Sequence, residues 1–343
     1  MRPVNTLVTA ASRRVGLIRA FVNALQAIGN SGVVVSTDMN TFSPGLYFSH
    51  RHYIVPLTTH PNYIPIIKSI CIKECVSLLI PTIDDEIPLF GAYKDDFARI
   101  GVRVACSGAD AARICNDKYE TFRFLRQKGL PVVETYLPGA SLPRKFPLFI
   151  KPRSGRGSVG AYPVKSEKEL QFFLGYIENP VVQEFLTGRE FTIDVCTDFQ
   201  GRVLSVVPRE RLVIRAGVSD RGITVKDRRL IDLGEQVTMA LGLVGAANIQ
   251  LKMDGERIRI FEVNPRYSGG IPLTIAAGAD FPRWQVKLVL GRRIRPKLGQ
   301  FTDALTMACF EEALFLDRER LVKQPVVSAP LEVGRVVEPI QLQ

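Results

Sequence analysis

The sequence predicts an α/β domain followed by an α+β portion, and two observations carry that division. Over residues 1–112 short apolar strands alternate with amphipathic helices, the pattern of a small open parallel sheet with right-handed crossovers. Beyond a Pro-rich connector at 138–147 the pattern changes to strands and hairpins separated by fewer helices. A chain of 343 residues, 46% hydrophobic and 23% charged, suits two or three domains and excludes disorder as its general state.

Residues 7–11 read as the first strand, and 15–28 carry apolar residues at helical spacing. Gly29 and Gly32 bracket the exit to a second strand at 33–38. A strand near 53–56, a helix over 61–75 and an almost continuous apolar strand over 76–81 follow, the last as in buried parallel sheets. A helix over 87–99 and a strand over 102–106 complete the domain. Asp38 sits where a ribose-binding acid could stand. However, the first turn, Thr9-Ala10-Ala11-Ser12-Arg13-Arg14-Val15-Gly16, lacks the G-x-G-x-x-G needed for close pyrophosphate approach. The domain is therefore read as Rossmann-like without NAD. Further on, a helix over 116–128 stops at Gly129 and Pro131. Strands are predicted over 148–151, 181–185, 190–197, 203–207, 246–253 and 257–263, with helices over 166–177, 227–241 and 281–290.

Charge and cysteine usage narrow the function classes. The 45 Lys+Arg against 34 Asp+Glu leave a net charge of +11. Basic residues are spread along the chain, with small clusters at Arg13-Arg14, at Lys226, Arg228 and Arg229, and at Arg292, Arg293 and Arg295. This argues against a nucleic-acid stripe and for small polyanions, phosphates included. The six cysteines show no CxxC, and Cys71 and Cys75, one helical turn apart, read as small hydrophobes. Three histidines, two of them at His50 and His52, make a poor zinc site. No apolar run approaches the ~18 residues of a membrane span, and the first residues lack the apolar core of a secretory signal. A cytoplasmic protein without membrane contact is the expectation.

Two constellations carry chemistry. The first is Phe149-Ile150-Lys151-Pro152-Arg153-Ser154-Gly155-Arg156-Gly157-Ser158-Val159-Gly160. Its glycine spacing is not followed by a helix, because 161–164 look extended and Pro163 discourages one, and the Gly-Lys-Ser/Thr of a Walker loop is absent. What remains is a glycine flap between two strands, whose amides can close over phosphate oxygens, with Lys151 as a point charge. A solvated Gly/Ser/Arg loop is the competing reading. The second is Asn248-Ile249-Gln250-Leu251 with Phe261-Glu262-Val263-Asn264-Pro265-Arg266. A hairpin around Asp254-Gly255-Glu256 with a three-residue loop pairs Met253 with Arg257, Gln250 with Ile260 and Asn248 with Glu262. It gathers Asn248, Gln250, Glu262 and Asn264 on one polar face and Ile249, Leu251, Phe261 and Val263 on the core face. Such an all-oxygen face suits Mg²⁺; an ordinary half-exposed hairpin is the alternative.

In this order, the motifs resemble the ATP-grasp superfamily, above all the synthetase halves of carbamoyl-phosphate synthase large chains and their stand-alone relatives. The resemblance covers nearly the whole chain. It implies a Rossmann-like pre-ATP-grasp domain (1–112), a small lid subdomain (113–186), a large subdomain with the metal site (187–298) and a C-terminal extension packing on the core (299–343). Asp117-Lys118-Tyr119-Glu120-Thr121-Phe122 is similar to the family's opening segment, 182–190 to its adenine hinge, and 79–86 to its first domain. The ATP-binding positions implied are Lys118, Lys151, Ser154, Gly155, Gly157, Ser158, Gln183, Glu184, Phe185, Leu186 and Glu190. Of these, Gln183 and the backbone of Glu184 and Leu186 would face the base, with Glu190 on the ribose. Gln250, Glu262 and Asn264 would hold Mg²⁺, with Mn²⁺ as a substitute. Arg266 and Lys151 would act on the transferred phosphate. The family's shared step is phosphorylation of a carboxylate by ATP to an acyl phosphate, which an amine then attacks.

For the acid substrate, Arg209, Arg211 and Arg215 stand at even spacing on a predicted strand, hence on one face, and arginine forks match carboxylates. A solvated strand face is an equal reading. Asp84-Asp85-Glu86 either lines a cleft or caps the helix at 87, the cap being favoured. A carboxylate-amine ligase acting on small molecules, able to form a homodimer, is the expectation. A carbamoyl-phosphate synthase component and a non-catalytic nucleotide-binding protein stand as alternatives.

Overall fold

Strands rich in Val, Leu and Ile build the first sheet because little of them meets water. They are β1 (Asn5–Val8), β2 (Val34–Asp38), β3 (Arg51–Ile54), β4 (Val76–Ile80) and β5 (Arg103–Val104), and every residue of β2 is buried. They pair in the order β3-β2-β1-β4-β5, all parallel. The crossovers run through α1 (Val15–Ala27), α2 (Tyr63–Lys73), α3 (Ile87–Ala92) and α4 (Lys94–Arg99). The single helix expected over 87–99 is two, because Tyr93 leaves helical geometry between them (φ −100°, ψ 12°). The computed structural model describes residues 1–140, 142–143, 145–155, 157–215, 217–317, 319 and 321. Among them no helix is long and apolar enough to cross a membrane.

The loop after β1 is braced from below. Ala10 and Ser12 take positive φ (47° and 38°), and the Ser12 N–H donates to Asp38 Oδ2 at 2.7 Å. Asp38 therefore serves the loop. Glu86 departs from the expected cap: it makes no capping bond and is fully buried. It accepts from Thr9 Oγ1 (2.8 Å), from the Tyr63 hydroxyl and from Thr82 N–H (3.3 Å). Burial pushes its carboxyl up to about 7, against these hydrogen bonds.

The chain splits into two compact units, the second formed by Ala109–Ala279 with Pro296–Cys309. It begins with α5 (Ala109–Asn116), which the sequence did not suggest, and α6 (Lys118–Gln127). A four-stranded antiparallel sheet follows, in the order β6-β9-β7-β8: β6 (Thr135–Tyr136), β7 (Leu148–Pro152), β8 (Tyr162–Val164) and, after α7 (Glu167–Tyr176), β9 (Pro180–Glu184). Its core is Leu148, Ile150, Val164, Leu170, Ile177 and Val182.

A six-stranded antiparallel sheet, β14-β13-β10-β11-β12-β15, forms the larger part. Its strands are β10 (Arg189–Thr197), β11 (Val203–Arg215), β12 (Val218–Thr224), β13 (Ala246–Asp254), β14 (Arg257–Asn264) and β15 (Thr306–Ala308). Two helices accompany it, α8 (Arg228–Leu241) and the short α9 (Ile271–Ala276). Asp227 caps the start of α8 and Gly242, left-handed at φ 61°, ends it. Gly234 lets α8 approach the sheet: a β-carbon there would stand 2.6 Å from Val206 Cγ1.

The last helix, α10 (Phe281–Val289), belongs to the first unit, where it packs on α1. This departs from the expected large subdomain at 187–298, since 280–295 lie with the first unit. Of the expected extension at 299–343, residues 299–309 join the second unit, β15 pairing with β12, and 322–343 lie outside the described residues.

Candidate functional site

The polar face of the β13–β14 hairpin forms as expected, by a different register. The loop has two residues, so Asp254 pairs with Arg257 and Met253 with Ile258. A β-bulge then inserts Phe261: Leu251 pairs with Ile260 but Gln250 with Glu262 and Asn248 with Asn264. The three-residue loop and its Asn248–Glu262 pairing are thereby corrected, while the four polar residues still share one face. Phe261, expected in the core, is half-buried; Ile260 is buried in its stead, beside Ile249, Leu251 and Val263. Asn264 donates to Asn248 Oδ1 (3.3 Å) and accepts from Arg266 Nη2 (3.2 Å). Among the described residues no hydrogen bond or ion pair ties the half-buried Gln250 amide or Glu262 carboxylate.

The bulge also receives Lys151 from the other sheet. Lys151 lies near the end of β7, 7% exposed, and its Nζ donates to the Phe261 carbonyl at 3.4 Å and stands 5.3 Å from the Phe261 ring centre. Burial pushes its ammonium down to about 8; Glu262 and Glu190 oppose this, and Lys118 reinforces it. Lys151 thus feels three charges from separate elements. Lys118 Nζ donates to the Gly155 carbonyl (3.1 Å). Asp117 caps α6 through the Tyr119 and Glu120 amides and holds Arg153 in an ion pair at 2.7 Å, fixing the approach to the flap. This Asp117–Arg153 bond is a link the sequence did not suggest.

The glycine segment spans the turn of the antiparallel β7–β8 hairpin, where Ser154, Gly155, Gly157 and Ser158 are all exposed. Gly155, Gly157 and Gly160 take positive φ (122°, 68° and 70°), which only glycine adopts freely. Arg156 lies outside the described residues. Of the expected hinge, Gln183 is buried and donates to Thr135 Oγ1 (2.9 Å). The Glu184 N–H is bound to the Glu134 carbonyl (3.2 Å), and its carboxylate to Arg257 and Arg259. Phe185 is exposed, and the Leu186 carbonyl accepts from Lys252 Nζ (3.2 Å).

The three arginines of the acid wall separate. Thr192 pairs with both Gln250 and Arg209, so Arg209 shares a cross-strand row with the Gln250–Glu262 pair. It is, however, buried against Asp194 (Nε to Oδ2, 2.8 Å) and Ser268 (3.0 Å). Arg211 bonds Glu190 at 2.6 Å. Register irregularities between Arg211 and Ile214 break the even spacing, and Arg215 ends largely exposed, 3.9 Å from Asp220. One common face for all three does not exist. Arg266, next to Asn264, also donates to the Tyr267 carbonyl (3.3 Å).

Comparisons with known proteins bear on this arrangement. Residues 177–313 match a family described as ATP-grasp in the biosynthetic pathway with Ter operon, and residues 6–105 match the PylC-like N-terminal domain. The chain is similar to the carbamoyl phosphate synthase large chain of Rubrobacter xylanophilus, 23% identical over 294 residues, covering 79% of this chain but 27% of that protein. Its fold is that of the Campylobacter jejuni biotin carboxylase solved as a β-γ-ATP complex (TM-score 0.71, 15% identity, 88% of this chain and 74% of that one). It is equally that of an L-amino acid ligase from Bacillus licheniformis (TM-score 0.65, 19% identity, 89% and 79%).

Proposed function

Because the chain is an ATP-grasp protein similar in sequence to carbamoyl-phosphate synthase large chains, we propose that it is an ADP-forming carboxylate-amine ligase. The observation that carries this reading is the convergence of Lys151, Lys118, Glu190 and Glu262. Cations for a polyphosphate stand there beside a carboxylate that, among the described residues, no hydrogen bond or ion pair ties. The donor set fits a magnesium nucleotide. Glu262, the Gln250 amide oxygen and Asn264 Oδ1 are hard oxygen donors suited to Mg²⁺, and Mn²⁺ can take the same place. Mg²⁺, when bound, neutralises charge on the phosphates.

The chain's own residues then position and shield. Lys151 and Lys118 hold phosphate oxygens, Arg266 faces the transferred group, and Ser154, Gly155, Gly157 and Ser158 cover it and exclude water. Glu190 reads the ribose, while Gln183, Glu184, Phe185 and Leu186 flank the base. An oxygen of the acid attacks the γ-phosphorus, the bond to the bridging oxygen breaks, and ADP departs. The amine then attacks the acyl carbon, a C–N bond forms and phosphate leaves, the amine proton passing to solvent. Of the three arginines expected to hold the acid, Arg209 is spent on Asp194, Arg211 on Glu190, Ser219 and the Gly217 carbonyl, and Arg215 lies apart, so none of them is assigned to the acid. The protein works on small molecules, as a monomer or a homodimer, in the cytoplasm.

The test is a screen for ADP release over paired acids and amines, with mass spectrometry of the products. Amine-dependent ADP release with a new amide supports the ligase. ATP binding without ADP release under any pair would leave a nucleotide sensor instead.

A further inference from the structure

Gly217, which leads into β12, touches Gly157 of the glycine flap. Gly217, at φ 75°, lies so close to Gly157 that a β-carbon on Gly217 would stand 3.1 Å from both the Cα and the carbonyl carbon of Gly157. Gly217 is held from the strand side by Arg211, whose guanidinium uses all three nitrogens. Nη2 donates to the Gly217 carbonyl (2.7 Å), Nη1 to Glu190 Oε1 (2.6 Å) and Nε to Ser219 Oγ (3.2 Å). The side chain is 5% exposed. A fork so occupied is a brace rather than an open carboxylate receptor, and it joins the floor of the site to the part that covers it.

We propose that Gly217 is the seat on which Gly157 of the glycine flap rests, and that Arg211 is the positioning residue that holds the seat. The planar fork sets the height of Gly217 relative to Glu190, and the absence of a side chain at 217 lets the two backbones meet. The flap's place over phosphates rests on the ligase reading; the seat itself does not. Lysine at 211 keeps the charge, but its single ammonium cannot reproduce the three-armed fork.

Three variants test this in the nucleotide-free protein by limited trypsin digestion, with cleavage inside 153–160 followed by mass spectrometry. Gly217→Ala and Arg211→Lys should cut there at least threefold faster than the parent chain. Gly201→Ala is the control: Gly201 is also at positive φ (84°), in another turn, with no atom nearer than 3.8 Å to its β-carbon position. It should cut like the parent. Unchanged cleavage in both Gly217→Ala and Arg211→Lys overturns the proposal, as does equal acceleration in Gly201→Ala. Adding Mg-ATP to the parent chain separates the two ideas: failure to slow flap cleavage counts against the ligase reading and leaves the seat standing. In a turning-over enzyme, Arg211→Lys should raise the KM for ATP severalfold while the KM for the acid stays unchanged, because the residue acts through Glu190 and the flap.

Discussion

Gln250 lies directly opposite Glu262 across the β13–β14 ladder, and the extra residue Phe261 alone puts it there. Without that bulge the two-residue loop would set Gln250 against Phe261 and Asn248 against Val263. The fold thus spends an irregularity in one strand to bring amide and carboxylate oxygens level.

Replacing Glu262 should therefore abolish chemistry and spare the fold. Glu262→Gln keeps the shape and removes the charge, so ADP formation is expected to fall by on the order of 10²-fold or more. The circular dichroism spectrum and melting temperature should stay within error of the parent. Full turnover by this variant would refute the metal face.

Lys151 makes a prediction about pH. Its ammonium, pushed down by burial to about 8, gives up its proton in the free protein as pH rises through that value. Polyphosphate favours the protonated form, so Mg-ATP affinity should fall by roughly tenfold per pH unit above about 8. Calorimetric titration from pH 7 to 10 checks this. Lys151→Arg should bind with little such loss, since a guanidinium keeps its proton.

Glu86 ties the first unit to pH with a definite sign. Its folded value of about 7 lies above the ordinary 4.5, so the native state binds the extra proton between them. Its contribution is fully present below 4.5 and is lost as pH rises through about 7. The shift corresponds to on the order of 3 kcal/mol. Urea unfolding at pH 4.5, 6 and 8 should show this slope in the parent and a flatter one in Glu86→Gln. Parallel curves would mean that the carboxyl is ionised throughout.

Asp117 should matter twice, as helix cap and as the partner of Arg153. Asp117→Ala is expected to lower stability by about 1–2 kcal/mol. Asp117→Asn, which keeps the capping oxygen, should cost clearly less. Urea unfolding of both variants decides; equal losses would assign the effect to the ion pair.

Much of this was legible in the sequence, and the failures at the site share one cause. The continuous apolar run at 76–80 announced a buried parallel strand, and the alternation of Glu262 and Asn264 announced a shared face. Local pattern sufficed in both. A bulge carries no such pattern: Phe261 looks like a core residue, and only the partner strand shows it to be an insertion. The same holds for Arg209. Its counter-charge, Asp194, comes from the neighbouring strand, so even spacing suggested an open receptor where the structure has a buried pair. Arg215 was lost to register irregularities. The missing helix α5 and the short β15 lack an amphipathic stretch long enough to stand out.

The three residues of β15 shelter the outer rim of the six-stranded sheet, joining Arg221, Gly222 and Ile223 of β12 through the backbone. Stripped of that cover, those backbone donors and acceptors would be free to recruit a strand from another molecule. Three residues thus cover backbone groups of β12, and truncations ending before Thr306 should be handled as aggregation-prone material.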